Sequence, residues 1–119
     1  MTAYDPNNIF AKILRGEIPC KKVHEDAFSL AFHDINPQAP VHVLVIPKGK
    51  YISVADFTAK ASEAEIAGFF RAVGTVARML ELDAPGYRIL ANMGEHGLQE
   101  IPHFHMHIFG GRPLGRMLS

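Results

Sequence analysis

His103-Phe104-His105-Met106-His107-Ile108-Phe109 alternates imidazoles with bulky apolar side chains and runs straight into Gly110-Gly111-Arg112-Pro113. Side chains on a strand point to opposite faces with a period of two. A strand over 103–109 therefore carries three imidazoles on one face and Phe104, Met106 and Ile108 on the other. The apolar face supplies the burial that fixes the strand. Three imidazoles are a poor core filling, since each brings a donor and an acceptor that burial leaves unpaired. The histidine face reads as a site.

Working outward, Val41-His42-Val43-Leu44-Val45-Ile46 is apolar and β-branched, as a central strand buried on both faces should be. Asn36-Pro37-Gln38-Ala39-Pro40 before it is a proline-stiffened loop. Val23 to Glu25 and Phe28 to His33 read as two short strands joined by a turn near Asp26 and Ala27. Residues 8–15 read as a short helix, capped by Asn8, with Ile9, Phe10, Ile13 and Leu14 as its apolar stripe and Gly16 as its stop. One long helix is predicted over 62–82: Ile66, Phe69, Phe70, Val73, Val76, Ala77 and Leu80 recur at three- and four-residue steps. Ser62 caps it, and Glu63 and Glu65 sit where the macrodipole favours negative charge. Tyr87 to Ala91 is a further strand. Strands around one long helix indicate an α+β fold, an antiparallel sheet of about five strands with a long helix and a short N-terminal one.

The 119 residues fit a single domain, 1–119, able to build a core without staples. Twelve basic and twelve acidic residues cancel, which leaves no electrostatic footprint for nucleic acid or an acidic membrane. The single cysteine, Cys20, excludes an internal disulfide and fits a reducing compartment. With a polar N-terminus and no apolar run long enough to span a bilayer, a cytoplasmic location is expected.

Three readings of the histidines compete on side-chain chemistry alone. Neutral imidazoles bind zinc, and His42 offers a fourth ligand, although the triad strand itself holds no cysteine or carboxylate. A hydrogen-bonded cluster without chemistry is the second reading. The third is nucleophilic catalysis, one imidazole attacking phosphorus while the others orient it and bind phosphate oxygens. Glycines at 94, 97, 110 and 111 bracket the strand; taken singly they are turns, and together they favour an anionic, phosphorylated substrate. Asp34 starts a turn before Pro37, or else supplies a carboxylate to a ribose diol.

The His-φ-His-φ-His-φ-φ pattern of residues 103–109 resembles the signature of the histidine-triad (HIT) nucleotide-binding family. The similarity extends through Ile9 to Ile13, Gly16 to Pro19, Phe32 to Pro40 with His42, and Gly110 to Gly115, all of which look like the Hint branch of homodimeric purine nucleoside phosphoramidases. The resemblance implies that His105 is the nucleophile attacking the α-phosphorus of a nucleoside 5′-phosphoramidate. His107 matches the histidine contacting phosphate oxygens; His103 and His42 match those that set tautomer and orientation. Asp34 matches the carboxylate on the ribose hydroxyls. Phe10, Phe32 and Ile35 match the apolar walls around the purine, with Ile9 and Ile13 as additions, and Asn92 and Gln99 match polar groups facing ribose and phosphate. The substrate so implied is a purine nucleotide of the adenosine type, and the assembly a homodimer built partly on helix 62–82.

The sequence departs from relatives in three places. A Cys-x-x-Cys pair that holds structural zinc in some of them is replaced by Asn8 and Ala11, so no metal site is expected and no cofactor is required. Glu100 stands where others carry a serine assigned to leaving-group protonation. Leu98 replaces a common glycine, and Pro102, lacking an N–H, must precede the hydrogen-bonded strand. Two further functions share the same residues: dinucleoside polyphosphate hydrolysis or nucleotidyl transfer, with a different leaving group, and a non-catalytic nucleotide-binding module.

Overall fold

In the computed structural model, which describes residues 3–118, the segment Val41–Pro47 forms the middle strand, β3, of a five-stranded antiparallel sheet. The other strands are β1 (Lys22–Glu25), β2 (Ser29–His33), β4 (Arg88–Leu90) and β5 (Met106–Gly110), in the spatial order β1-β2-β3-β5-β4. The last strand in the chain is thus inserted between β3 and β4. Asp26 makes the β1–β2 turn, its Oδ1 accepting from the Phe28 and Ser29 amides at 2.9 Å each.

Alternation along β3 divides the molecule. Val43 and Val45 point to a core shared with Ala31, Phe104, Met106 and Ile108, onto which the helices α2 (Val54–Lys60) and α3 (Glu63–Met79) deliver Phe57, Phe69, Val73 and Val76. Leu44 and Ile46 point the other way, to a second cluster with Leu30, Phe32 and Phe10 of α1 (Ile9–Leu14). Both faces of β3 are buried, as its composition predicts. A sheet with apolar clusters on both faces is rigid where a site needs to be.

Helix α1 begins at Asn8, whose side chain accepts from the Ala11 amide at 2.9 Å. Helix α3 begins with a capping box, Ser62 accepting from the Glu65 amide while the Glu65 carboxylate accepts from the Ser62 amide. Three findings differ from the sequence reading. A third helix, α2, capped by Ser53, precedes α3. Helix α3 stops at Met79 rather than at 82, because Glu81 turns left-handed (φ 58°) and folds Leu82 back into the core. The histidine strand begins at Met106, three residues later than expected. Pro102 has no amide to give, the His103 amide closes a turn onto Ile101 O at 2.9 Å, and the Phe104 amide goes to Tyr51 O at 2.7 Å. The period-two alternation nevertheless holds back to His103, with Phe104 in the helix-side core and His103 on the opposite face beside Phe10. Among the described residues no helix is long and apolar enough to cross a membrane.

Candidate active site

The register of β3 against β5 sets His42 opposite Phe109 and Leu44 opposite His107. His42 and His107 are therefore diagonal neighbours on the α1 face of the sheet, and His42 Nε2 lies 2.9 Å from His107 Nδ1. The hairpin between β2 and β3 closes with the Asp34 amide on His42 O at 2.9 Å, which carries the Asp34 carboxylate to 3.4 Å from His42 Nε2. Asp34 Oδ1 also accepts from the Asn36 amide at 2.8 Å, making the turn that its position before Pro37 suggests.

Hydrogen-bond partners assign a tautomer to each imidazole. The Gln38 amide can only donate, and it points at His42 Nδ1 at 3.0 Å. His42 therefore holds its proton on Nε2 and donates to His107 Nδ1, which leaves the His107 proton on Nε2. His105 Nδ1 lies 2.7 Å from the His103 carbonyl, a group that can only accept. His105 thus carries its proton on Nδ1 and a free lone pair on Nε2. One imidazole presents an unprotonated nitrogen and its neighbour presents an N–H; their ring centres are 5.1 Å apart. That pairing suits a nucleophile beside a group that binds an anionic oxygen.

Burial keeps these rings neutral. It pushes His103 and His107 down to about 4, with the neighbouring imidazoles lowering His107 further and Asp34 opposing the shift. Burial also lowers His105 and His42, against the carboxylate of Asp34 and, for His105, of Glu100 and the bond to the His103 carbonyl.

The expected site residues separate into groups. Phe10 stands edge-on to His105 at 5.0 Å and to Phe32 at 5.6 Å, so it is both a core residue and a wall of the site. Phe32 is buried behind it, Ile35 is fully exposed on the hairpin loop, and Ile9 is half exposed on the outer face of α1. Asn92 is half-buried in the stretch leading from β4 to the 94–99 loop. Ile13 packs against the Phe10 cluster and lines a groove with Leu14, Pro19 and Cys20. Gln99 is spent inside its own loop: its amide nitrogen donates to Ile52 O at 2.6 Å and Ile101 O at 3.1 Å, and its oxygen accepts from the Gly94 amide at 3.3 Å. It braces the loop instead of presenting its amide to a ligand. His103 departs furthest from a free histidine face. It is wholly buried, with Nε2 on Pro47 O at 2.8 Å and Nδ1 on the Tyr4 hydroxyl at 2.6 Å. Gly111 is likewise explained by packing, since its φ of 92° is left-handed and a Cβ there would meet Pro40 at 2.9 Å.

Asp34, His42 and His107 bring three potential metal-ligating atoms within 4.8 Å of one another. Tetrahedral zinc holds its nitrogen ligands roughly 3.3 Å apart. His42 Nε2 and His107 Nδ1 are closer than that and share a proton, and the Gln38 amide prevents His42 from moving that proton to Nδ1. The trio is a hydrogen-bonded relay, poorly suited to a metal.

This sheet and its paired histidines define a histidine-triad protein: the chain belongs to the HIT domain family, whose profile matches residues 15–114. It is 66% identical over 98% of its length to a 13.2 kDa HIT-like protein of Azospirillum brasilense, covering 95% of that protein. It is 42% identical over 93% of its length to the purine nucleoside phosphoramidase of Escherichia coli, covering 92% of it. Among solved structures, a HIT family hydrolase from Legionella pneumophila superposes with a TM-score of 0.87 at 39% identity, over 95% of this chain and all of that one.

Proposed function

We propose that the chain, acting as one domain over residues 1–119, hydrolyses the P–N bond of purine nucleoside 5′-phosphoramidates by covalent catalysis. His105 Nε2 attacks the α-phosphorus and the phosphorus–nitrogen bond breaks, the amine leaving with its electron pair and taking up a proton. Water then attacks the nucleotidyl-imidazole, restores His105 and releases the nucleoside monophosphate. His107 Nε2–H donates to a phosphate oxygen as charge builds there; Asp34 accepts from the ribose hydroxyls; Phe10, Phe32 and Ile35 bound the base, and Asn92 faces the sugar. The reaction needs neither metal nor organic cofactor. The observation that carries this reading is the bond from His105 Nδ1–H to the His103 carbonyl, which leaves the attacking nitrogen bare. Similarity to a named phosphoramidase across nearly the whole chain supports it.

We place the working protein in the cytoplasm as a homodimer, joined through α3 and the edge strand β4. Phe70, Met79 and Ile89 support this, since they are 47%, 53% and 44% exposed in a single chain.

The deciding experiment mixes wild type and His105→Ala with adenosine 5′-phosphoramidate in the presence of a chelator. AMP release and any nucleotidyl adduct are followed by mass spectrometry, with diadenosine polyphosphate as a parallel substrate. AMP release by wild type, its loss in the variant and an adduct on His105 are expected. A wild type that binds AMP yet turns over neither substrate would make the protein a binding module, and preference for the polyphosphate would move it to the other hydrolase class.

A further inference from the structure

Tyr4 lies in the polar segment ahead of α1, 99 residues from the histidine it touches. The segment is held in place. The Asn7 amide donates to the Asp5 carboxylate at 2.9 Å, the Asn8 side-chain amide to Asp5 O at 2.7 Å, and Arg15 reaches back to Pro6 O at 2.8 Å. Asn8 itself caps α1, so the placement of Tyr4 is tied to the helix that brings Phe10 to the site.

The Pro47 carbonyl at His103 Nε2 can only accept, which puts the His103 proton on that nitrogen and leaves Nδ1 as an acceptor. The Tyr4 hydroxyl donates to it at 2.6 Å, and the two rings meet edge-on with centres 5.6 Å apart. Without that donor the Nδ1 lone pair would be stranded in a fully buried ring, a costly state that the ring can relieve only by turning or by admitting water. His103 is also the residue whose carbonyl orders the nucleophile. It therefore links the Tyr4 hydroxyl on one side to His105 Nδ1–H on the other.

We propose that Tyr4 is a positioning residue for the hydrolase: its hydroxyl locks the His103 ring, whose tautomer the Pro47 carbonyl sets, and so keeps the His103 carbonyl aligned on His105 Nδ1–H and the His105 Nε2 lone pair directed at substrate. The claim rests on the functional reading above, so its test includes a readout that needs no turnover. Tyr4→Phe keeps the ring and removes only the hydroxyl. Histidine-labelled wild type and Y4F are compared by long-range proton–nitrogen NMR of the imidazoles, with thermal melting and with steady-state kinetics on adenosine 5′-phosphoramidate. In Y4F the His103 Nδ1 signal moves towards that of an unbonded nitrogen and His105 shows a mixture of tautomers. In the same variant kcat falls about tenfold, the rate equivalent of one hydrogen bond, with little change in KM. His105 nitrogen signals that match wild type overturn the proposal, whatever happens to the rate or the melting temperature, and so does a wild-type kcat from Y4F. If wild type itself fails to turn over, the phosphoramidase reading falls, and the His105 signals alone then decide whether Tyr4 sets its tautomer.

Discussion

His42 Nε2 donates to His107 Nδ1 across 2.9 Å, and the direction of that bond is fixed by a main-chain amide, that of Gln38, on the far side of the His42 ring. A side chain between two fixed partners transmits orientation without touching substrate. Replacing His42 with alanine frees His107 to carry its proton on either nitrogen. It should lower kcat roughly tenfold to a hundredfold, by analogy with the loss of a partner that orients a metal-ligating histidine. AMP affinity should fall far less. Kinetics beside calorimetric AMP binding separate the two, and an unchanged kcat would remove His42 from the relay.

Because burial holds His105 below the ordinary histidine value of 6.5, its ring stays unprotonated into mildly acid solution. The acid limb of kcat/KM should inflect below pH 6.5. Asp34 works against that depression in His42, His105 and His107. Asp34→Asn should therefore shift the limb to still lower pH and, on the proposed reading, raise KM as the carboxylate for the ribose hydroxyls is lost. A limb that moves upward in this variant would contradict the electrostatic account.

Stability should follow the same imidazoles. His103, fully buried and pushed down to about 4, binds a proton more readily in the unfolded chain than in the folded one between that value and 6.5. Its contribution is whole above pH 6.5 and is lost as pH falls towards 4, about 3 kcal/mol in all. His107, also at about 4 but only partly buried, acts in the same window. Urea unfolding at pH 7.5 and 4.5 measures the sum, and His103→Phe should flatten the dependence. An equally steep variant would assign the acid sensitivity to other groups.

Adjacent phenylalanines on α3 should behave oppositely. Phe69 is fully buried against Phe57 and Phe104, with ring centres 5.3 and 5.1 Å away. Phe69→Ala should cost about 3–5 kcal/mol by denaturant unfolding. Phe70 is 47% exposed, so Phe70→Asp should leave the monomer fold intact and, on the proposed dimer, weaken self-association, as sedimentation would report. Self-association unchanged in the variant, or absent from wild type, would count against the dimer proposed through α3.

What could be read from the sequence, and what could not, follows a physical division. Helix α3 announces itself through Ser62, Glu65 and three turns of apolar repeat, and β3 through uninterrupted branched residues. Helix α2 has seven residues and one buried anchor, Phe57, too few for a period to emerge. The histidines of the candidate site stand out in the sequence because imidazoles at alternate positions are costly to bury unless paired. The groups that decide which nitrogen of each ring is free do not stand out. Gln38 N–H, Pro47 O and His103 O are main-chain atoms that every residue owns, and only the fold says where they point. Tyr4 carried no local signal, since one tyrosine in a polar segment reads as surface. Gln99 illustrates the same limit, a polar side chain that the resemblance turns towards ligand and that bonds within its own loop in this structure.

The insertion of β5 between β3 and β4 also sets when the candidate site can assemble. During synthesis, residues up to about Leu90 can build the helices and pair β1, β2 and β3, but β3 then ends the sheet as an apolar, unpaired edge. Its partner arrives more than sixty residues after it, joining Val41 to Gly110 and Val45 to Met106. Such distant pairing is slow, and an exposed edge of this kind is prone to aggregate. His105 immediately precedes the strand that closes that gap and His107 lies within it, so a ribosome-bound fragment lacking β5 has neither a completed sheet nor the His42–His107 pair.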